Sequence, residues 1–213
     1  MPEMSKHSAV IVAHPDDETL WCGGQILLDP GTHWHILTLC RGSDPDRAPK
    51  FARVCDLLGA TGTMGDLDDG PDQNPMPTAE IGRAITSLLP PRRYDLVLTH
   101  GPLGEYTRHR RHEECCRAVV DLWSSGGLET AALWMFAFED ENRTVLPRVR
   151  SDAHRRVCLP DEVWREKQRM ITEVYGFSPE SWEAKATPRE EGFWCFDSPT
   201  AAVRCVHSHK ASP

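Results

Sequence analysis

The chain has 213 residues, of which 39% are apolar and 26% are charged, and its formal net charge is −8. This length suits one well-buried α/β domain, and two independent domains would be cramped. The acidic balance disfavours nucleic acid as a main partner, because no basic excess is present to neutralise phosphates.

No apolar stretch approaches the length of a membrane span, and residues 1–7 are polar and lack a signal-peptide core. A cytoplasmic location is therefore expected. The eight cysteines include no Cys-x-x-Cys pair, which disfavours a structural zinc ribbon. In a chain of this size they are expected to be reduced rather than to form a disulfide framework.

The first predicted strand, residues 9–13, is an apolar run rich in β-branched residues, as expected of a central parallel strand. Pro15 disfavours the helical region at His14 and ends the strand there. His14, Asp16 and Asp17 therefore lie together at the carboxyl end of a strand, where open α/β sheets hold their sites. His14 and Asp17 can both reach one ion, and nitrogen with carboxylate oxygen suits zinc or another divalent transition metal.

The alternative interpretation of these carboxylates is helix capping. Asp and Glu favour the first turn of a helix and the positive end of its dipole. For Glu18, placed in the first turn of the next helix, capping explains the residue as well as a function does. For His14, Asp16 and Asp17 together a site is favoured, because burying several ionisable groups without a partner is costly.

Strands and helices alternate along the first two thirds of the chain. Strands are predicted over residues 9–13, 33–39, within 61–67, 94–99 and 131–138. Helices are predicted over residues 18–28, 47–58, 78–89 and from 109 to about 123. This alternation predicts an α/β fold, a Rossmann-like, doubly wound, mostly parallel sheet flanked by helices.

The last third contains one clear predicted helix, residues 161–175, and is expected to be an extension packed on the core. Residues 1–150 are then the core and residues 151–213 the C-terminal extension of the same domain. Trp182 lies in this extension, where plain packing and stacking on a sugar ring are the alternatives. Gly23 and Gly24 indicate either a close approach of the first helix or simple tolerance of small residues.

His109 and His112 are predicted to open the fourth helix, where a spacing of three residues places both on one side of its first turn. A lone histidine at such a position is most often a surface residue. Two histidines at the same edge of the sheet as His14 favour a site.

The motif Ala-His-Pro-Asp-Asp-Glu at residues 13–18 resembles the signature of the LmbE-like (PIG-L type) metal-dependent N-deacetylases. The resemblance continues at Gly23–Gly24, at residues 99–106 and at the two histidines, over about two thirds of the chain. It implies zinc-dependent hydrolysis that removes an acetyl group from the N-acetylglucosamine part of a small-molecule glycoconjugate. It also implies roles for five residues, with metal ligands His14, Asp17 and His112, general base Asp16 and protonated oxyanion stabiliser His109.

The resemblance also suggests substrate-binding residues. In the family an arginine near the start of the second helix helps to hold the substrate, which indicates Arg47, although an exposed arginine is the alternative. An aspartate after the third strand accepts a hydrogen bond from a sugar hydroxyl, and Asp68 and Asp69 both fit this position or a simple turn. Tyr106 is the fourth candidate.

The chain departs from the family pattern His-Pro-Asp-His, because Arg110 and Arg111 replace Pro and Asp. Together with Arg108 they form a basic cluster, which hints at a negatively charged substrate. Thr107 and Arg108 also lengthen the step from Tyr106 to the first histidine.

Three other functions compete with deacetylation of an amino sugar. A related amidase would remove a larger acyl group, and a metal-binding protein would hold zinc without turnover. A nucleotide-binding module is disfavoured, because no Gly-x-Gly-x-x-Gly follows the first strand and no Walker lysine is present. A homo-oligomer is compatible with the sequence.

Overall fold

A computed structural model describes residues 6–106 and 109–209 of the chain. The predictions made for Thr107 and Arg108 lie outside these residues. Among the described residues no helix is long and apolar enough to cross a membrane. All eight cysteines are unpaired.

The described residues form a seven-stranded sheet at the centre of the molecule. Its strands are β1 (Lys6–Val12), β2 (Thr32–Thr38), β3 (Thr61–Met64), β4 (Leu96–Thr99), β5 (Leu133–Phe136), β8 (Arg155–Cys158) and β9 (Glu190–Phe196), and β6 (Phe138–Glu139) pairs with β7 (Arg148–Val149) in a separate hairpin. The order in the sheet is β3-β2-β1-β4-β5-β9-β8. The first five strands in this order are parallel, and β9 runs antiparallel to both β5 and β8.

Helices cover both faces of the sheet. They are α1 (Asp17–Leu27), α2 (Arg47–Leu57), α3 (Thr78–Leu88), α4 (Arg110–Ser125), α5 (Asp161–Arg169), α6 (Trp182–Ala186) and α7 (Pro199–Ser208), and a π-helical turn, Met170–Val174, continues α5. Side chains of β1 alternate between two cores, with Ala9 and Ile11 in one and Val10 and Val12 in the other. The doubly wound, mostly parallel fold predicted from the sequence is confirmed.

The predicted strand over residues 131–138 is divided in the structure. At Ala137 the backbone N–H donates to Gly192 O (2.9 Å), while its carbonyl accepts from Arg150 N (2.9 Å). The chain therefore leaves the central sheet after Phe136 and pairs with β7 instead. Strands β8 and β9 were not predicted, and they extend the same sheet beyond β5.

A buried ion pair between α5 and β9 packs against α1. Lys167 Nζ lies 2.5 Å from Glu191 Oε1, and both side chains are fully buried. Glu191 also accepts the backbone N–H of Gly24 (2.7 Å), and a Cβ at that glycine would collide with Leu159 and lie 2.9 Å from Glu191 Oε1. Gly24 therefore permits a close approach, which favours the first of the two alternatives considered for it.

Candidate metal centre and active site

The candidate site lies where β1 and β4 are neighbours at the centre of the sheet. The chain leaves β1 toward β2 on one side, whereas β4 and β5 continue the sheet on the other, so crevices open at the carboxyl ends of these strands. The turn after β1 carries His14, Asp16 and Asp17, and the start of α4 brings His109 and His112 to the same place. The structure therefore brings together the five residues for which the resemblance implied catalytic or metal-binding roles.

The side chains of three residues, His14, Asp17 and His112, face one another at the bottom of this crevice, and we call them the donor trio. His14 Nδ1 lies 3.2 Å from Asp17 Oδ2 and 3.2 Å from His112 Nε2, and His112 Nε2 lies 3.4 Å from Asp17 Oδ1. Zinc bonds of 2.0–2.2 Å in a tetrahedral site place neighbouring donors about 3.3 Å apart. The two nitrogens and one carboxylate therefore fit a divalent transition metal in both chemistry and spacing.

Glu105 fixes the orientation of His112 and was not singled out from the sequence. Its Oε2 accepts from Nδ1 of His112 (2.6 Å) and from Nδ1 of His100 (2.8 Å), while Oε1 accepts from Gly101 N (2.6 Å). Burial alone would raise the pKa of Glu105, but the two histidines lower it to about 2. The ionised carboxylate therefore holds the proton of His112 on Nδ1 and leaves Nε2 free for a metal.

His100 is the second residue that sequence reasoning missed. Its ring stacks on that of His112 with centroids 3.8 Å apart, and its Nε2 lies 3.4 Å from Asp17 Oδ2. His100 Nε2 also accepts the backbone N–H of Ala13 (2.9 Å). Because both ring nitrogens have partners, His100 supports the turn after β1 and the ring of His112. The sequence feature that could have identified His100 and Glu105 is their position within residues 99–106, where the resemblance to the family continues.

Asp69 supports His14 from the opposite side. Its Oδ1 accepts from His14 Nε2 (3.0 Å), and Oδ2 accepts from Arg41 Nε (2.9 Å) and Nη2 (2.8 Å). Burial raises the pKa of Asp69, but the hydrogen bonds and charges of His14 and Arg41 outweigh it and lower the pKa to about 2. The Asp68 side chain is 61% exposed and lies away from the cavity. Of the two aspartates, Asp69 is therefore the one that lines the cavity.

Cys40 lies beside His14 and Asp69. A donor atom from each of His14, Cys40 and Asp69 falls within 4.8 Å of the other two, as does one from each of His14, His109 and His112. Both sets share His14 with the donor trio, and the second set also shares His112.

Asp16 occupies a strained backbone conformation, with φ 126° and ψ −28°. A non-glycine residue with such a φ costs about 1–3 kcal/mol. Glu18 supports it, because Glu18 Oε2 accepts the Asp16 N–H (3.0 Å) and Oε1 accepts from Tyr175 Oη (2.7 Å). Burial, followed by the charges of Asp17 and Glu18, raises the pKa of Asp16 well above its ordinary value. Glu18 thus stabilises the backbone of Asp16 through a hydrogen bond, in addition to lying in the first turn of α1.

His109 packs directly against both candidate histidine ligands. Its ring centroid lies 4.9 Å from that of His14 and 4.2 Å from that of His112. Its Nδ1 is buried and has no hydrogen-bond partner among the described residues. Burial and the neighbouring imidazoles lower the pKa of His109 to about 3. The site without a metal thus favours a neutral His109, so the protonated form expected from the resemblance requires a negative charge beside it.

The crevice opens into a cavity of about 540 Å³. It is lined by His14, Pro15, Asp16, Asp17, Leu20, Arg41, Arg47, Asp69, Gly70, Pro71, Gln73, Tyr106, His109, Trp182 and Glu183. Arg47 lies over the Phe177 ring (4.6 Å), and its Nη1 is 3.7 Å from Asp16 Oδ2. Three of the four substrate-binding candidates, Arg47, Asp69 and Tyr106, therefore line the cavity.

Arg110 and Arg111 of the predicted basic cluster do not line the cavity, and Arg108 lies outside the described residues. Arg111 is buried, where it pairs with Glu114 and donates to the carbonyls of Asp68 (2.6 Å) and Asn74 (2.9 Å). Arg110 is exposed at the start of α4. Arg110 and Arg111 therefore do not support a negatively charged substrate, because neither lines the cavity and Arg111 instead holds the loop after β3.

The chain resembles known proteins in sequence and in fold. The family model described as PIG-L, GlcNAc-PI de-N-acetylase, matches residues 9–123. Among curated proteins, the chain is 24% identical over 129 residues to the uncharacterized protein L374 of Acanthamoeba polyphaga mimivirus, which covers 53% of this chain. The match spans only 56% of that relative's length.

Solved structures share the fold at low sequence identity. N,N'-diacetylchitobiose deacetylase from Pyrococcus horikoshii superposes with a TM-score of 0.68 at 16% identity, covering 91% of this chain and 85% of its own. A triple mutant of a deacetylase of the teicoplanin biosynthetic pathway gives 0.64 at 16% identity, covering 91% and 99%. GalB, the 4-carboxy-2-hydroxymuconate hydratase of Pseudomonas putida KT2440, gives 0.59 at 13% identity, covering 89% and 95%.

Proposed function

Because the chain belongs to the PIG-L (LmbE-like) family, we propose that it is a metal-dependent amide hydrolase. Its substrate is a small glycoconjugate, and it removes the acetyl group from the N-acetylglucosamine part. The observation that carries the proposal is the donor trio of His14, Asp17 and His112 at the bottom of a cavity of about 540 Å³, with Asp16 beside it.

His14, Asp17 and His112 would hold the metal, and zinc is the first candidate because it accepts nitrogen and carboxylate ligands in a site with an open position. When bound, such an ion lowers the pKa of water toward neutrality and polarises a carbonyl oxygen. Glu105 and Asp69 accept hydrogen bonds from the far nitrogens of the two histidines, which directs the other nitrogen of each ring toward the metal position and increases its basicity.

Asp16 is the general base in this proposal. Among the described residues its carboxylate forms no hydrogen bond or ion pair with the donor trio, and burial with the charges of Asp17 and Glu18 raises its pKa in the direction that suits a general base near neutral pH. It takes a proton from the attacking water and later delivers it to the leaving amine. His109 has a buried, unpartnered Nδ1 among the described residues, and it stabilises the oxyanion of the tetrahedral intermediate.

Arg47, Asp69 and Tyr106 are the proposed substrate contacts. Arg47 Nη1 is buried and lacks a hydrogen-bond partner among the described residues, so this donor is available to a ligand in the cavity. Asp69 and Tyr106 line the same cavity, whereas the Asp68 carboxylate does not. The cytoplasmic location, a homo-oligomeric state and the division of the domain at residue 150 stay predictions.

The fold alone does not determine the reaction, since a hydratase shares it. The decisive experiment measures release of primary amine from a panel of N-acetylglucosamine conjugates by metal-stripped protein, with and without added zinc. Zinc-dependent release from acetylated members supports the proposal. Release only from N-propionyl or N-butyryl analogues would indicate the amidase alternative. Stoichiometric zinc binding without release from any member would indicate a non-catalytic metal protein.

A further inference from the structure

The carboxylate of Glu183 is the acidic group of the cavity that has no hydrogen bond or ion pair within the described part of the chain. The other three acids have partners. Asp16 lies 3.7 Å from Arg47, Asp69 pairs with Arg41 at 2.8 Å, and Asp17 contacts the candidate histidine ligands. One negative charge at the cavity wall is therefore left for a ligand.

Glu183 lies in the first turn of α6, where its charge is favourable to the helix dipole, but its carboxylate forms no hydrogen bond or ion pair within the helix. The N-terminus of α6 is capped by Ser181, whose Oγ accepts from Ala184 N (3.2 Å). The one lysine of α6, Lys185, pairs with Glu180 instead (2.9 Å). Neither capping nor a local ion pair accounts for a half-buried carboxylate at this position.

An aromatic surface lies next to this carboxylate. Trp182 also lines the cavity, and at 38% exposure it is one of the few large apolar side chains open to solvent among the described residues. Its ring packs on that of Tyr106 with centroids 4.6 Å apart. Burial, then the charges of Asp17, Asp16, Glu105 and Glu183, raise the pKa of Tyr106, so the Glu183 carboxylate acts electrostatically on this ring.

An exposed indole beside a free carboxylate is suited to a positively charged amine. The ring face attracts a cation, and the carboxylate accepts a charge-assisted hydrogen bond from it. We propose that Trp182 and Glu183 form a subsite for an ammonium group attached to the acetylated sugar. This inference rests on the proposed function and specifies its substrate class as a cationic conjugate, such as an oligosaccharide whose neighbouring sugar already carries a free amine.

A matched pair of substrates tests the subsite. The 2-aminoethyl and 2-hydroxyethyl glycosides of N-acetylglucosamine are nearly isosteric and differ in one positive charge. With the zinc-loaded enzyme at low salt, we expect kcat/KM to be about tenfold higher for the aminoethyl glycoside, mostly through KM, as for one charge-assisted contact. The preference should decrease as salt is added, because screening weakens a contact at an open cavity wall.

Substitutions show which side chains cause the preference for the aminoethyl glycoside. Glu183→Gln keeps the shape of the side chain but removes its charge, so the ratio of the two kcat/KM values should approach one. The matched control is Glu180→Gln, which removes a charge from an exposed neighbour that does not line the cavity and should keep the ratio. Trp182→Leu should reduce the ratio more than Trp182→Phe does, since only phenylalanine retains a ring face.

Binding of the two glycosides to the metal-free protein, measured by calorimetry, separates this inference from the proposed function. If neither glycoside is deacetylated, the proposed function fails, while the ratio of the two dissociation constants still tests the subsite. Equal affinities, tighter binding of the hydroxyethyl glycoside, or a preference that survives Glu183→Gln would each overturn the subsite.

Discussion

Two regions of the molecule contribute to the site in different ways. The first region comprises strands β1–β5 and the helices between them, and the second region comprises the chain after residue 160. The turn after β1 and the start of α4 supply every atom of the candidate donor trio. The segment after residue 160 supplies no atom of the trio, but Tyr175 reaches Glu18, Phe177 lies beneath Arg47, and Trp182 lines the cavity. The family match ends at residue 123. The donor trio therefore comes entirely from residues 9–123, whereas the cavity wall combines Arg47, Asp69 and Tyr106 of that part with Trp182 and Glu183.

The largest effect is expected from removing a ligand in the first region. His112→Ala deletes a fully buried donor, and we expect zinc affinity to fall by more than about 100-fold, with activity lost in parallel. Metal content after dialysis and amine release measure the two effects. His207→Ala, on the exposed end of α7, is the control. A variant that kept full zinc would remove His112 from the ligand set.

Asp16→Ala should separate metal binding from turnover. We expect zinc to be retained and kcat to fall on the order of a hundredfold or more, because a general base is lost. Asp72→Ala, an exposed residue of the loop after β3, is the control and should behave as the unmodified protein. Near-normal turnover of Asp16→Ala would disprove the assignment of the base.

Glu105→Gln tests the residue that orients His112. The variant keeps the size of the side chain but no longer holds an ionised acceptor between His100 and His112. We expect zinc affinity to decrease by about 10- to 100-fold, measured by competition with a chelator. Glu129→Gln, on an exposed turn after α4, serves as control. Unchanged affinity would show that the fold alone orients His112.

Much of the first region is predictable from the sequence. The apolar strands and amphipathic helices alternate clearly, and residues 13–18 concentrate four ionisable groups in one turn. The last strands are harder to predict, because β8 reads Arg-Arg-Val-Cys and the apolar residues of β9 follow two glutamates and a glycine. Glu191 is buried there because Lys167 lies against it and the backbone N–H groups of Gly24 and Gln25 donate to it.

The sequence also does not show which of two adjacent residues in a turn faces the site. Spacing alone does not distinguish Asp68 from Asp69, since the orientation of each side chain depends on the turn and on Arg41, 28 residues earlier. His100 and Glu105 likewise gain their roles from distant partners, namely Ala13 in the turn after β1 and His112 on α4. Such roles arise from tertiary contacts, and a local pattern does not contain them.

Tyr175→Phe tests the contribution of the second region. It removes the hydrogen bond to Glu18 (2.7 Å), which supports the strained backbone of Asp16. We expect kcat to fall about three- to tenfold with zinc content unchanged, as for the loss of one hydrogen bond that acts through another residue. Tyr94→Phe removes a comparable hydrogen bond to Pro90 O (2.8 Å), far from the cavity, and should leave kcat unchanged. An equal loss in both variants would indicate a general effect on stability.

The smallest effect concerns the pH dependence of stability in the metal-free protein. The pKa of Asp69 is lowered from its ordinary 3.8 to about 2 in the folded state. The stabilisation is therefore fully present above about pH 4 and is lost as the pH falls through 2. Comparing urea unfolding of the unmodified protein and Asp69→Asn, we expect a difference of about 1 kcal/mol at pH 6, after allowance for solvent screening. This difference should shrink between pH 4 and pH 2. A difference independent of pH would mean that Asp69 stabilises His14 and Arg41 through packing rather than through its charge.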